Sequence, residues 1–304
     1  MPEMRTVVKW VLAGSLAASL LGGHFAAAQQ KTVLPAESKG DPAPETQQAS
    51  NYLRAGRYED AITQAKRALQ RDERYVPAMI VLAKAYYYQR KFELATSIID
   101  IARSVDGNNA ECYNLLGFIA LNRDTDNPDR ISATAAFKKA TELNATYAAA
   151  WNNLAAQYLF SKNYDGAVGA AEQATKLATG FPKAWLNLGS AYRGKQRYQE
   201  ADEAYKKALQ LDANYVDAYF DLGILYLDAK EMPNSDLVSK LNTAINYLNR
   251  YKQLAGYRLT KDDPADTYIA EARTNIDREQ KRIERQNRQK QRGEPKAPAK
   301  TEEK

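Results

Sequence analysis

Cysteine and histidine, on which much enzyme chemistry leans, are nearly absent: the 304 residues hold one of each, Cys112 and His24. A single thiol closes no intramolecular disulfide. With one thiol and one imidazole, neither a His/Cys metal cluster nor an activated thiol pair can be assembled. No phosphate-binding glycine loop, nucleophile elbow or kinase signature occurs. Paired carboxylates such as Glu59-Asp60 and Asp262-Asp263 stand only where turns and helix starts want them. The expectation is a chain that is not an enzyme, with no catalytic residue, no metal and no cofactor. Cys112, beside Tyr113 at the start of a helix, reads as a half-buried structural thiol.

Long apolar runs are missing too, with one exception. Arg5 and Lys9 precede an apolar stretch from Trp10 to about Gly23, and Ala26-Ala27-Ala28 supplies the small residues a signal peptidase needs. The stretch is broken by glycine and falls short of the ~20 residues of a comfortable membrane span. Residues 1–28 are therefore expected to be a signal peptide, with an uncleaved anchor as the alternative, and the mature chain to be exported, periplasmic or secreted. No cysteine follows the run, which excludes a lipoprotein anchor. Residues 29–44 mix Gln, Lys, Pro, Ser and Gly without periodicity and read as a flexible leader.

The rest of the chain repeats itself. From Pro182 to Asn214 the order is Trp185, Leu188, Gly189, Tyr192, then Ala201, Tyr205, Ala208, spacings that place each set on one face of a helix. Between them lies Arg193-Gly194-Lys195-Gln196-Arg197, where the glycine is expected to turn the chain. One period of about 34 residues onward stand Tyr219, Leu222, Gly223 and Tyr226; one period back stand Trp151, Leu154, Ala155 and Tyr158. Tyr113, Leu116, Gly117, Ala133, Phe137 and Ala140 fit once about four extra residues are placed in the turn Asn122–Arg130. Met79, Leu82, Ala83 and Tyr86 give another unit, and Ala49, Tyr52, Ala61 and Ala65 a weaker first one.

The order W-x-x-L-G-x-x-Y followed by A-x-x-x-Y resembles the tetratricopeptide repeat, at the period that family shows. The resemblance implies an all-α fold, a right-handed superhelical solenoid of about six helix-turn-helix repeats over residues 45–256, with the first helices lining its concave side. A hairpin of this kind cannot bury its own apolar face and is stabilised by stacking on neighbours. Residues 257–290 are expected to form a polar-faced capping helix, with a stripe of Tyr268, Ile269, Ala272 and Ile276, and 291–304 a disordered basic tail.

The resemblance also implies where a partner sits. Two positions after the bulky first-helix residue stand Asn153, Asn187 and Asp221, expected to project into the groove. Amides offer donor and acceptor together and can grip a peptide backbone whatever its side chains. Asn114 and Asn152 are neighbouring candidates, and Lys84, Lys183 and Arg193 are candidate anchors for acidic groups. An apolar set is expected nearby, with Tyr87, Tyr88 and Phe118 as candidates and Ile80, Val81, Leu121, Leu159 and Phe160 beside them; packing against the next repeat, as core, is the alternative. The partner is expected to be a protein or peptide, bound as part of a cell-envelope assembly, export or surface-machinery complex. The alternative is an envelope-anchored adaptor acting through its basic C-terminal helix. That helix lacks the aromatics that stack bases, so no nucleic acid is expected; peripheral contact with membrane or cell wall is left open.

Overall fold

A computed structural model describes residues 40–232 and 235–293; the expected signal segment, the leader as far as residue 39 and the tail after 293 lie outside the described residues. Among the described residues there are thirteen α-helices: α1 (Ala43–Arg54), α2 (Tyr58–Arg71), α3 (Val76–Tyr88), α4 (Phe92–Val105), α5 (Ala110–Asn122), α6 (Arg130–Leu143), α7 (Ala148–Phe160), α8 (Tyr164–Leu177), α9 (Pro182–Gly194), α10 (Tyr198–Leu211), α11 (Val216–Asp228), α12 (Leu237–Ala255) and α13 (Ala265–Gly293). No strand occurs among them, only an isolated bridge between Met232 and Ser235. The first twelve helices form six successive helix-turn-helix pairs, and α13 follows. The longer turn expected in the third pair is there, between Asn122 and Arg130.

The chain divides into two compact units, residues 1–150 and 151–304, with the boundary inside α7. In the first unit α1 packs on α2, α3 on α4 and α5 on α6; second helices hand over to the next pair, and the first helices α1, α3 and α5 touch in succession. The second unit repeats the scheme with α9 on α10, α11 on α12 and first helix α9 touching α11.

Small residues set the helix spacing. At Gly117 an added Cβ would lie 2.5 Å from the Phe137 ring, at Gly189 2.5 Å from Tyr205 and at Gly223 2.6 Å from Leu248, so the second helix of each pair pushes a large side chain into the gap. Phe137, Tyr205 and Leu248 are accordingly fully buried, and truncating such a side chain costs about 3–5 kcal/mol for an aromatic.

The turns differ from the sequence expectation. Gly194 is helical, and its lack of a Cβ makes room for the Tyr164 ring, which an added methyl would meet at 2.2 Å. The residue that reverses the chain is Gln196, with φ +60°, and the same register position holds Gly56 at +71°, Arg90 at +59° and Lys162 at +58°. Handovers between pairs are sealed by side chains: the carboxylate or amide of Asp72, Asp106, Asn144 and Asp212 accepts the backbone N–H two residues on. The bulky first-helix residue then reaches back, as Trp185 Nε1 donates to the Thr179 carbonyl at 2.9 Å and Tyr219 Oη to that of Ala213 at 3.1 Å.

At the C-terminus Asp263 accepts the Ala265 amide and the Tyr251 hydroxyl. Ala265, Ile269 and Ala272 are buried against Leu241, Ile245 and Leu248 of α12, with Tyr268 and Ile276 beside them. From residue 280 to 290 every side chain is exposed. Polar pairs such as Lys281–Asp277 and Arg288–Glu284 run along that part of the helix.

Candidate partner-binding face

In the first unit the candidate residues separate into core and surface. Ile80 and Val81 are buried and belong to the core, not to an open face. Tyr88 is 54 % exposed, and its ring stacks on Tyr58 at 5.4 Å. Tyr87 meets Tyr88, Phe92 and Phe118, and Phe118 meets the buried Phe137 edge-on at 5.4 Å. An aromatic seam thus climbs from the core to the surface, alternating between first-helix rings (Tyr87, Tyr88, Phe118) and second-helix rings (Tyr58, Phe92, Phe137). Lys84 does not stand free for an acidic ligand; it pairs with Glu111. Asn114 is buried, and its amide donates to the Tyr147 hydroxyl at 3.3 Å.

The second unit holds the rest. Asn152 and Asn187 are 2 % and 8 % exposed, and Asn187 Nδ2 donates to Asn152 Oδ1 at 2.8 Å. Their amides tie two neighbouring first helices together instead of projecting freely, because an unpaired buried amide would lose its hydrogen bonds to water with no return. Asn153 is half-buried and Lys183 is exposed at the start of α9. Arg193 Nη1 donates to Asp228 Oδ2 at 3.0 Å. Asp221 is half-buried and receives the Ser190 hydroxyl at 3.4 Å, while Ser190 Oγ in turn accepts the Tyr205 hydroxyl at 3.1 Å. Burial pushes the Asp221 carboxyl up to about 6, against the opposing pull of Arg193 and the Ser190 hydrogen bond. Sequence pattern placed Asp221 and Arg193 separately; Ser190, which links Asp221 to Tyr205, carried no signal of its own. Phe160 is 62 % exposed at the end of α7.

Cys112 is fully buried, and burial pushes its thiol up to about 12, so the reactive thiolate does not form at neutral pH. Among the described residues no group of three His, Cys, Asp or Glu side chains is placed to hold a metal ion. No described helix is long and apolar enough to cross a membrane.

Known proteins bear on the repeats. Residues 52–117 match the family described as tetratricopeptide repeat, and residues 189–229 match the one described as TPR repeat. No curated protein matches. Among solved structures, PilF of Pseudomonas aeruginosa superposes with a TM-score of 0.60 at 19% identity, over 77% of this chain and 97% of that one. PilW, titled a widely conserved type IV pilus biogenesis factor, gives 0.57 at 20%, over 72% of this chain and 95% of that one. The Cut9–Hcn1 hetero-tetramer of the APC/C gives 0.61 at 18%, over 76% of this chain but only 43% of that one. At these identities the likeness is one of fold. The matched segments and the succession of helix pairs together show that this chain carries tetratricopeptide repeats, units that serve in general as non-catalytic protein-interaction scaffolds.

Proposed function

We propose that the chain is an exported scaffold whose first helices bind a protein or peptide partner in a cell-envelope assembly, export or surface-machinery complex. The observation that carries the reading is the first-helix side of each unit. There Tyr88 and Lys183 stand exposed and Asp221 and Arg193 half-buried, while the register residues beside them, such as Leu82, Leu188 and Leu222, are spent on packing. Tyrosine and arginine are the residue types enriched at recognition sites, and charged groups such as Lys183 and Asp221 belong to the polar rim around them. Export rests on the basic, apolar and small-residue order of residues 1–28. The likeness in fold to PilW, a type IV pilus biogenesis factor, agrees with an envelope role and does not carry it.

Photoreactive residues at Tyr88 and Lys183 test this in the native cell, with Glu203, exposed on α10, as the control. The reading expects discrete adducts from each of the first two positions and none from the third. Adducts from position 203 alone would refute it. The competing adaptor reading rests on the exposed turns after Ile276 in α13, with Arg278, Lys281, Arg282, Arg285 and Arg288; a chain ending at Ile276 that still forms those adducts excludes it.

A further inference from the structure

We propose that the last part of α13 is a second docking element, which lies on a surface of anionic lipid headgroups while the first-helix face stays free for the partner; it does not rest on the reading of that face. Residues 40–276 carry 29 basic and 29 acidic side chains and are neutral, whereas residues 277–304 carry ten basic and six acidic ones. Four of the six net positive charges therefore stand after Ile276. Closing the end of the stack does not call for them. The seam on α12 uses Ala265, Ile269 and Ala272, with Tyr268 and Ile276 beside them. The helix then runs on to Gly293, about 25 Å further at 1.5 Å per residue.

The cations lie on one face of that extension. At about 100° per residue Arg278, Lys281, Arg282, Arg285 and Arg288 fall within an arc of about 120°, and Ile276 and Ile283 fall on the opposite side, in line with the seam. All five basic residues are exposed. No acid stands inside the arc. Asp277 and Glu284 border it on one side and Glu279 lies beyond the other, where they pair with Lys281, Arg288 and Arg282 and support the helix. Arg278 and Arg285, at the middle of the arc, form no ion pair among the described residues. A one-sided stripe matches a plane. A helix set into a duplex groove meets phosphates on both walls and needs cations on both flanks, but these flanks are acidic. A protein interface is built round an apolar core, and Ile283, alone and on the far side, supplies none. A headgroup layer offers anions over an area, so each lysine or arginine near it contributes without a fitted pocket.

Co-sedimentation of the full chain with vesicles of equal parts phosphatidylglycerol and phosphatidylcholine, and with vesicles of phosphatidylcholine alone, tests the proposal. Binding is expected to the anionic vesicles only, and about 0.5 M sodium chloride should reverse it. Arg278→Gln with Arg285→Gln is expected to weaken it about 25-fold, about fivefold for each charge removed. Arg67→Gln with Lys176→Gln takes the same charge from exposed positions of α2 and α8 and should leave binding nearly unchanged. Equal weakening by the two double variants would overturn the proposal, since overall charge would then suffice, and so would equal binding to phosphatidylcholine alone. Tighter binding of a labelled DNA duplex or of polyglutamate than of the anionic vesicles would also overturn it, as would a dimer in sedimentation equilibrium that Ile283→Ser dissolves. Circular dichroism of each variant separates a lost helix from a lost surface contact. The crosslinks from Tyr88 and Lys183 are read apart from the vesicles, so failure here leaves the partner face standing.

Discussion

Gly169 and Gly189 are both helical, yet what surrounds them gives opposite expectations. A Cβ at 169 meets nothing within 4 Å, whereas at 189 it meets the Tyr205 ring at 2.5 Å. Gly169→Ala is therefore expected to stabilise by about 0.5–1 kcal/mol through helix propensity alone. Gly189→Ala gains the same propensity but forces apart a packed interface, an overpacking of about 1–3 kcal/mol, and the clash wins. Urea denaturation of the two variants measures both signs. Asp221 gives a second test. Its native carboxyl titrates near 6, above the unfolded value of about 4, so the native state holds the extra proton between those limits and stability falls as pH rises through them. Asp221→Asn is then expected to melt above the native chain at pH 7.5 and level with it at pH 4. At this scale the sequence was legible where a large residue must meet a small one. It was opaque for Asn152 and Asn187, because pattern assigns a helix face without saying whether the next helix covers it. For the same reason pattern left Ile80 and Val81 open between inner face and core, and they are core.

The turn inside the first, second, fourth and fifth pairs has one geometry that glycine does not consistently mark. The position that needs a left-handed backbone holds Gly56 in the first pair but Arg90, Lys162 and Gln196 in others. An L-residue there costs about 1–2 kcal/mol, and the neighbouring packing holds it in place. Lys162→Gly is expected to stabilise, by up to about 1 kcal/mol after the added freedom of the unfolded glycine is subtracted, and calorimetry checks it. Entry into the second helix also varies. Arg57 and Arg197 each lie 4.4 Å over the tyrosine five residues back and use no side-chain cap, whereas Asn163 caps the Gly166 amide. A tyrosine-cation pair and a capping amide thus fill one register position, so no single residue type marks that turn in the sequence. The sixth pair, whose turn runs from Asp228 to Leu237, places Leu248 against Gly223 where the third and fifth pairs place Phe137 and Tyr205.

Within each unit, helices touch their neighbours in sequence and first helices also touch the first helix of the next pair, so each pair contacts only adjacent pairs, stability is close to a sum of nearest-neighbour terms and an exposed end is costly. α13 closes one such end through Ala265, Ile269 and Ala272. Ending the chain at Ile276 is expected to leave the melting temperature almost unchanged, whereas ending it at Asp262 uncovers Leu241, Ile245 and Leu248 and should lower it by several degrees, with aggregation. The periodicity made the number of pairs readable from sequence because each pair restates one packing rule. Partner recognition follows no such rule: it depends on which residues the stacking leaves over, such as Tyr88, Lys183 and Asp221. The most direct measurement is the amount of native partner that co-purifies with two sets of variants. Tyr88→Ala with Lys183→Ala alters the first-helix side; Ile131→Ala with Glu203→Gln alters exposed residues of second helices. Loss of the partner from the first set alone, with both sets folded, is the expected result, and equal retention by both, or loss from the second set, would contradict the account.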